Sequence, residues 1–328
     1  MISVKKLSWC IFVVIAITIL ASSCNNSDAK PHEILVNTLP MRDTNERDFQ
    51  NRLSSLKVST GVYIVYTYHA LPCPDRDGIH FIGNSGELPI FVTGGYNAQY
   101  LHVIDGRLYY TQDHCYIYNP VDKSATVFLE NTTALCIDGS NMAYLQGDDL
   151  YYSSTDKRNS VRIAQKCELL AFFNGEIFYR IANTFYRYSI ADLGSSVITS
   201  LDELVRHFGV YREGIYYIKS NSLYYMDWAG ISYEILNAPI LCEYTVDATK
   251  IYATSLVRDQ IDGCDTYVLD RQSKQIIQQY SHIGGASSMH CNDQGLIYHS
   301  TYRSGYTHWS YFDFETETEY PLQFSRGD

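Results

Sequence analysis

Ten side chains suited to recognising a polar partner lie in three separate stretches of the sequence. Arginine, aspartate, histidine and aromatic side chains hydrogen bond, pair with charges and stack, and they act best from loops held on a rigid scaffold. We predict that these residues form one ligand-binding patch, although neutral variation in loop length explains the three stretches equally well. The residues are His69, Arg76, Asp77, Arg258, Asp259, Tyr302, Arg303, Tyr306, His308 and Trp309.

The sequence carries no signature of a catalytic, metal or cofactor site. It lacks a glycine-rich phosphate loop, a nucleophile elbow and the HExxH pattern of zinc enzymes. His114 precedes Cys115 and His290 precedes Cys291, but neighbouring residues of a strand point to opposite faces, so neither pair forms a metal site by itself. We therefore predict no cofactor, no metal and no catalytic residue, and we favour a binding module over an enzyme.

The N-terminus has the features of an export signal. Lys5 and Lys6 precede an apolar run over 9–21, which is too short to span a bilayer comfortably. The next segment, LASSCNNSD at 20–28, resembles a bacterial lipobox, which implies cleavage after residue 23 and lipidation of Cys24. Ordinary signal cleavage at Ser22 or Ser23 is the alternative. The resemblance predicts a membrane-anchored lipoprotein of the bacterial cell envelope, facing the periplasm or the cell exterior.

Charge and cysteine content narrow the range of partners. Removal of residues 1–23 takes away two lysines and no acid, so the formal net charge falls from −11 to −13. A chain with this negative charge binds nucleic acid or an anionic membrane surface poorly. We therefore expect the lipid on Cys24 to be its only membrane contact. Seven cysteines follow Cys24, and an odd number argues against a complete disulfide framework; we expect at most one or two disulfides.

A turn followed by an aromatic strand recurs seven times. The copies begin TGVYIVYTY at 60, DGRLYYTQ at 105, DGSNMAYLQ at 138, NGEIFYRIA at 174, EGIYYIKS at 213, DATKIYATS at 247 and DQGLIYHS at 293. Asp-Gly and Asn-Gly favour tight turns between antiparallel strands because glycine accepts positive φ. We align the aromatic or apolar residues Tyr63, Tyr109, Tyr144, Phe178, Tyr216, Tyr252 and Ile297, which recur every 34 to 46 residues.

This period, with about four short strands in each copy, is typical of a β-propeller. We predict an all-β fold with seven blades of four antiparallel strands, although one miscounted hairpin would give six or eight. The third copy supplies a template with strands at 132–138, 141–146, 149–154 and 160–165. The propeller is placed at 57–328 and follows a tether at 24–56. The tether contains a possible edge strand at 33–38, which pairs with the last blade, and a possible short helix at 45–56.

The repeated IYY and LYYMDWAG segments resemble the tyrosine-rich propellers of secreted bacterial lipoproteins, which are distantly similar to the YWTD propellers of low-density-lipoprotein receptors. The resemblance covers roughly residues 57–328 and rests on short motifs without a literal YWTD. It implies a folded, non-catalytic binding or scaffolding module, and it transfers no site residues.

Three copies are longer than the others between their second and third strands, and these are the first, sixth and seventh. In a closed ring these copies are neighbours, and corresponding loops leave the same face, so the ten residues above are expected to cluster. We therefore predict an exported, monomeric lipoprotein whose propeller binds or scaffolds a protein or a polysaccharide. The alternative is a glycan hydrolase or lyase on the same scaffold, which needs two suitably spaced carboxylates.

Overall fold

The computed structural model describes residues 47–48, 55–58, 61–66, 78–83, 89–95, 98–201, 205–257, 263–283, 285–291, 295–301 and 307–322. All of them belong to one compact unit, residues 36–326. Their regular elements are β-strands arranged as seven four-stranded antiparallel sheets, with one short extra strand added to the fifth sheet. No helix of the described ranges is long and apolar enough to cross a membrane.

Each blade is built from four consecutive strands, numbered outward from the centre of the ring. The extra strand is β1 (Arg47–Asp48). Blade 1 contains β2 (Ser55–Val58), β3 (Gly61–Tyr66), β4 (Gly78–Gly83) and β5 (Ile90–Thr93). Blade 2 contains β6 (Gln99–Ile104), β7 (Arg107–Thr111), β8 (Cys115–Asn119) and β9 (Ser124–Leu129). Blade 3 contains β10 (Thr132–Asp138), β11 (Asn141–Gln146), β12 (Asp149–Ser154) and β13 (Val161–Gln165). Blade 4 contains β14 (Glu168–Phe173), β15 (Glu176–Ile181), β16 (Thr184–Ser189) and β17 (Gly194–Ser200); blade 5 contains β18 (Arg206–Tyr211), β19 (Gly214–Lys219), β20 (Ser222–Asp227) and β21 (Ser232–Asn237). Blade 6 contains β22 (Leu241–Val246), β23 (Lys250–Leu256), β24 (Gly263–Asp270) and β25 (Ile276–Ile283); blade 7 contains β26 (Gly285–Cys291), β27 (Gly295–Thr301), β28 (Thr307–Asp313) and β29 (Thr318–Pro321).

The predicted seven-bladed propeller is confirmed, and side-chain packing closes the ring. Buried clusters join each blade to the next, and one of them joins the last blade to the first. In that cluster Val62 and Ile64 of blade 1 pack with Ile297 and Trp309 of blade 7. Every described blade is a continuous stretch of chain, so hydrophobic contacts hold the first and last blades together.

Residues of the second strands alternate between the two neighbouring blades. In blade 5, Tyr216 joins the buried cluster shared with blade 6, whereas Tyr217 joins the cluster shared with blade 4. Adjacent residues of a strand point to opposite faces, and both faces of a blade are covered in a propeller. The tyrosine pair therefore packs against two neighbouring blades at once, as its position in the repeat predicts.

The strand bounds correct one residue of the repeat alignment. Six of the seven aligned residues are the third residue of their second strand, but Tyr144 is the fourth residue of β11, and the third is Ala143. A shift of one residue moves a side chain to the other face of the sheet. The alignment chose Tyr144 because aromatic residues occupy both positions in neighbouring copies, so an aromatic ring alone does not identify the register.

Blades 3, 4 and 5 share an aromatic arrangement at the fourth position of the second strand. The rings of Tyr144, Tyr179 and Tyr217 stack on third-strand tyrosines, with centroids 5.5, 5.1 and 5.4 Å apart. Each hydroxyl hydrogen bonds to a serine hydroxyl beside or within the outer strand, at 2.8, 2.9 and 3.0 Å. Tyrosine suits this position because its ring buries apolar area while its hydroxyl keeps a polar partner.

The predicted helix over 45–56 is wrong at its described residues. Arg47 and Asp48 form β1, and Ser55 and Leu56 begin β2, where Leu56 lies opposite Tyr63 of β3. Leu56 is buried between blades 1 and 2, so pairing with β3 prevails over a local spacing that also fits a helix. The possible edge strand at 33–38 lies outside the described residues.

Candidate binding face

Most of the predicted binding residues lie outside the described ranges. His69, Arg76, Asp77, Arg258, Asp259, Tyr302, Arg303 and Tyr306 fall there, and so does the predicted lipidation site, Cys24. His308 is in β28, opposite Ser300 of β27. Trp309 follows it, but its side chain is only 4% exposed and packs in the cluster between blades 7 and 1. Trp309 therefore contributes to the core and offers little surface to a partner.

The described strand ends define the connections that carry the other predicted residues. The second and third strands are joined by residues 67–77 in blade 1, 257–262 in blade 6 and 302–306 in blade 7. In blades 2 to 5 the same connection has only two or three residues: 112–114, 147–148, 182–183 and 220–221. Blades 6, 7 and 1 are consecutive in the ring, so the three long connections leave neighbouring positions.

Strand direction places these connections on one face of the ring. The chain leaves each second strand on the same side from which it enters each first strand, because the four strands alternate in direction. We call this side the long-hairpin face. The other side, which we call the short-turn face, carries the turns between first and second strands and between third and fourth strands.

The interior of blades 6, 7 and 1 also differs from that of the other blades. Among the described residues, eight of the thirteen buried polar or charged side chains lie in these three blades. The eight are His80, Glu243, Thr245, Thr254, Ser255, Thr266, His282 and Ser310. Buried polar groups cost stability unless they are hydrogen bonded, so their concentration beneath the long connections calls for an explanation beyond packing.

A row of polar side chains faces blade 7 from blade 6. Glu243 lies opposite Thr254, and Thr254 lies opposite Thr266, on three adjacent strands. Directly opposed residues of antiparallel strands share a face, and these three are at most 1% exposed. Each lies in the half of its strand nearer the long-hairpin face. The carboxylate and the two hydroxyls thus form a buried polar seam between blades 6 and 7.

The two threonines of this seam differ in their hydrogen bonding. The Oγ1 atom of Thr266 lies 2.8 Å from Nε2 of His282, whose ring packs 5.2 Å from the ring of Tyr298 in blade 7. Within the described part of the chain, Oγ1 of Thr254 is fully buried and makes no hydrogen bond. A buried hydroxyl without a partner typically costs about 1–3 kcal/mol of stability. Proteins retain such groups where they serve something other than stability.

A histidine occupies the equivalent interface between blades 7 and 1. His80 is fully buried and lies opposite Ile64, which belongs to the cluster shared with blade 7. Its ring makes edge contacts with Tyr66 and Phe91, with centroids 6.0 and 5.4 Å away. His80 is the third residue of β4, close to the end of the long connection. Both interfaces of this part of the ring therefore bury a histidine near the long-hairpin face.

Three acidic residues lie on the described first strands of the seven blades, and Asp48 lies on β1 beside blade 5; these residues bear on the enzyme alternative. Glu168 forms an ion pair with Arg180, and Asp138 accepts a hydrogen bond from the amide of Gly175. The third acid is Glu243, which is buried in the seam. No group of three or more histidine, cysteine, aspartate or glutamate residues in the described ranges has the geometry of a metal site. The five cysteine side chains that the structure describes are not joined to one another in disulfides.

The short-turn face is tied together by a charged cluster between blades 5 and 6. Arg271 donates from Nε and Nη2 to the two carboxylate oxygens of Glu213, at 2.7 and 2.6 Å. The hydroxyl of Tyr216 donates to Oε1 of Glu213 at 2.7 Å, and Lys274 donates to the Tyr216 hydroxyl. Burial, and next the charge of Glu213, raise the pKa of Tyr216, so its hydroxyl remains protonated. The charged groups of this cluster pair with one another, and the pairs link blade 5 to blade 6. We call the cluster the interblade clamp.

Sequence reasoning missed the polar seam. The signal was present in the third strand of the sixth copy, where Thr266 occupies a position that is apolar in the other six blades, whereas the position of Thr254 is apolar only in blades 1, 3 and 5. Finding it requires the cross-strand register, because only opposed residues reveal that Glu243, Thr254 and Thr266 share one face. Scattered threonines in a β-rich chain otherwise indicate no more than strand propensity.

Comparisons with known proteins identify the fold and go no further. No protein-family model matches the chain, and no curated protein matches it. Hsv2 of Kluyveromyces lactis, with its complete loop 6CD, is similar at a TM-score of 0.50 and 10% identity, covering 82% of this chain and 96% of that chain. At this identity the likeness shows the propeller fold alone.

Bacterial proteins are also among the similar solved structures. A putative 6-phosphogluconolactonase from Bacteroides uniformis has a TM-score of 0.48 at 10% identity and covers 82% of this chain and 94% of that chain. The extracellular domain of a putative one-component system from Bacteroides thetaiotaomicron has a TM-score of 0.45 at 9% identity and covers 75% of this chain and 47% of that chain.

Proposed function

We propose that this chain is an exported bacterial lipoprotein whose propeller binds a protein or a polysaccharide through its long-hairpin face. The observation that carries the proposal is the position of the three long connections in consecutive blades 6, 7 and 1. Loops longer than a turn requires tend to carry function when a rigid scaffold holds them. Blades 2 to 5, with short connections and stacked tyrosines, are the structural part of the ring.

The chemistry of the long connections suits a large polar partner. Arg76, Arg258 and Arg303 bring cationic groups to an otherwise acidic chain, and tyrosine and histidine accompany them. Arginine and tyrosine dominate protein interfaces because they combine hydrogen bonds with a large contact area. The same side chains hydrogen bond to and stack on sugars. The three connections carry three arginines and four aspartates, so the expected ligand, whether protein or polysaccharide, offers both hydrogen-bond donors and acceptors.

The polar seam supports the choice of this part of the ring. In the row of Glu243, Thr254 and Thr266, the Thr254 hydroxyl is buried without a hydrogen bond among the described residues, which costs stability close to the long connections of blades 6 and 7. Natural proteins break packing rules most often near functional sites. The seam is buried, so its role in a binding module is to shape and hold the loops above it.

A glycan hydrolase or lyase on the same scaffold is the second candidate, and it is less well supported. Such an enzyme needs two carboxylates flanking the scissile bond. Of the acids in the described inner strands, Glu168 and Asp138 are already engaged and Glu243 is 1% exposed. If the protein is a glycan hydrolase or lyase, Glu243→Gln abolishes turnover of a glycan that the wild-type protein degrades.

The test compares soluble protein of residues 25–328 with two variants in pull-downs from membrane extracts and on a glycan array. In the first variant the three long connections are replaced by the two-residue connection of blade 5 (220–221). In the matched control the turn at 155–160 on the short-turn face of blade 3 is shortened to the four residues of 190–193. Circular dichroism and size-exclusion chromatography establish that each variant folds as a monomer.

The proposal predicts that wild type and control retain a partner that the trimmed variant loses. A second variant keeps the loop lengths and changes Arg76, Arg258 and Arg303 to alanine. Loss of binding in this variant is not explained by misfolding of shortened loops. If the partner binds the trimmed and the alanine variants as tightly as wild type, the long-hairpin face is not the binding surface.

A further inference from the structure

An extra strand lies at the centre of blade 5. In β1, Arg47 is opposite Val210 and Asp48 is opposite Gly209 of β18, in antiparallel orientation. Because β18 is the innermost of the four strands of its blade, its other edge faces the central channel of the ring. Arg47 and Asp48 therefore lie in the channel beside blade 5.

A glycine occupies the position of β18 that lies opposite Asp48 of the extra strand. Gly209 lies opposite Tyr216, the third residue of its second strand. The same position of the inner strand in blades 1, 2, 3, 4, 6 and 7 is occupied by Leu56, His102, Cys136, Ala171, Thr245 and His290. Glycine within a strand commonly marks a place where another backbone approaches closely. The one glycine of this set is in the blade that the extra strand joins.

The direction of β1 shows from which side the chain enters the channel. The inner strand β18 runs from the long-hairpin face at Arg206 to the short-turn face at Tyr211. Since β1 is antiparallel to it, Arg47 lies nearer the short-turn face and the chain runs on from Asp48 toward the long-hairpin face. The start of blade 1 agrees with this direction, because β2 begins at Ser55 on the long-hairpin face.

The length of the connecting segment fits the same path. Six residues, 49–54, join β1 to β2. Fully extended they reach about 20 Å, and on this path they join strand ends that lie on the same face of the ring. The opposite direction of β1 would require the same six residues to traverse the channel lengthwise as well.

We infer that the chain crosses the central channel at β1, running from the short-turn face toward the long-hairpin face before it begins blade 1. This path does not depend on the proposed function.

Disulfide cross-linking in the full-length folded protein tests the path. The Cα atoms of opposed residues in antiparallel strands are about 4.5–5.5 Å apart, within the range that a disulfide spans. The variant Asp48→Cys with Gly209→Cys is therefore expected to cross-link in most molecules under mild oxidation, with the bond mapped by mass spectrometry. Arg47→Cys with Val210→Cys is a second pair that leaves Gly209 intact.

Two matched controls carry the cysteine at the same strand position of the neighbouring blades. Asp48→Cys with Ala171→Cys in blade 4, or with Thr245→Cys in blade 6, is expected to cross-link in less than about a tenth of molecules. Equal cross-linking in all three blades, or none at either blade 5 pair in folded protein, overturns the path through the channel.

Discussion

Replacement of Glu213 by glutamine measures what the interblade clamp contributes. Glu213 of blade 5 accepts two hydrogen bonds from Arg271 of blade 6, at 2.7 and 2.6 Å, and a third from Tyr216. The side chains of Glu213 and Arg271 are 28% and 13% exposed. Glutamine keeps the size of the side chain but removes the charge, so the largely buried guanidinium of Arg271 loses the carboxylate that it pairs with.

The size of the effect follows from the pKa of Glu213. Burial raises this pKa, but the hydrogen bonds from Arg271 and Tyr216 and the charge of Arg271 outweigh burial and lower it from 4.5 to about 2. A difference of this size between folded and unfolded chain corresponds to about 3 kcal/mol of stability. Because the folded pKa is the lower one, that stability is fully present above pH 5 and is lost as the pH falls toward 2.

The assay is urea unfolding of wild-type and Glu213→Gln protein at pH 7 and at pH 3. We expect the variant to be less stable by about 3 kcal/mol at pH 7 and by about 1 kcal/mol at pH 3, because part of the linkage is already lost there. Glu176→Gln is the control, since Glu176 forms a more exposed pair with Arg187 at 3.4 Å. Exposed pairs contribute about 0–1 kcal/mol. An equal loss for Glu213→Gln at both pH values refutes the electrostatic account of the clamp.

Two further pairs of variants test the packing. Thr254→Val removes a buried hydroxyl that has no hydrogen bond among the described residues. It is expected to leave the free energy of unfolding in urea unchanged or to raise it by about 1–2 kcal/mol. Thr266→Val removes a hydrogen-bonded hydroxyl and is expected to lower the free energy of unfolding by about 1–2 kcal/mol. Gly214→Ala places a methyl group 2.1 Å from a main-chain oxygen of the adjacent strand. This clash is expected to lower the thermal midpoint of unfolding by well over 5 °C. In Gly175→Ala the new methyl group has no atom within 4 Å, so only the strained φ of +71° lowers stability. Equal effects within either pair contradict the packing described.

The number of blades was readable in the sequence because each copy contains its own turn and its own strands. The third copy illustrates this, since its four predicted strands agree with β10 to β13 within one residue. Local signals of this kind recur in all seven copies, and the seven sheets agree with that count. The register within a copy was less secure, and Tyr144 was placed one position out because aromatic rings lie on both faces of the second strands.

Interactions between distant segments were the part that sequence reasoning did not reach. The spacing of Phe49, Leu53 and Leu56 fits one face of a helix, yet Leu56 pairs in a strand with β3. The pairing of Asp48 with Gly209 joins residues about 160 positions apart, which no local pattern encodes. The polar seam has the same cause, because opposed positions on three strands create it.

The most direct test of the binding account is the affinity of a captured partner for wild-type protein and for the variant with three trimmed connections. The account predicts that trimming weakens binding by about 100-fold or more, equivalent to about 2.7 kcal/mol, while the shortened turn on the short-turn face changes it less than about threefold. Equal affinity of the trimmed variant, or a larger loss from the short-turn face, contradicts the assignment of the binding surface.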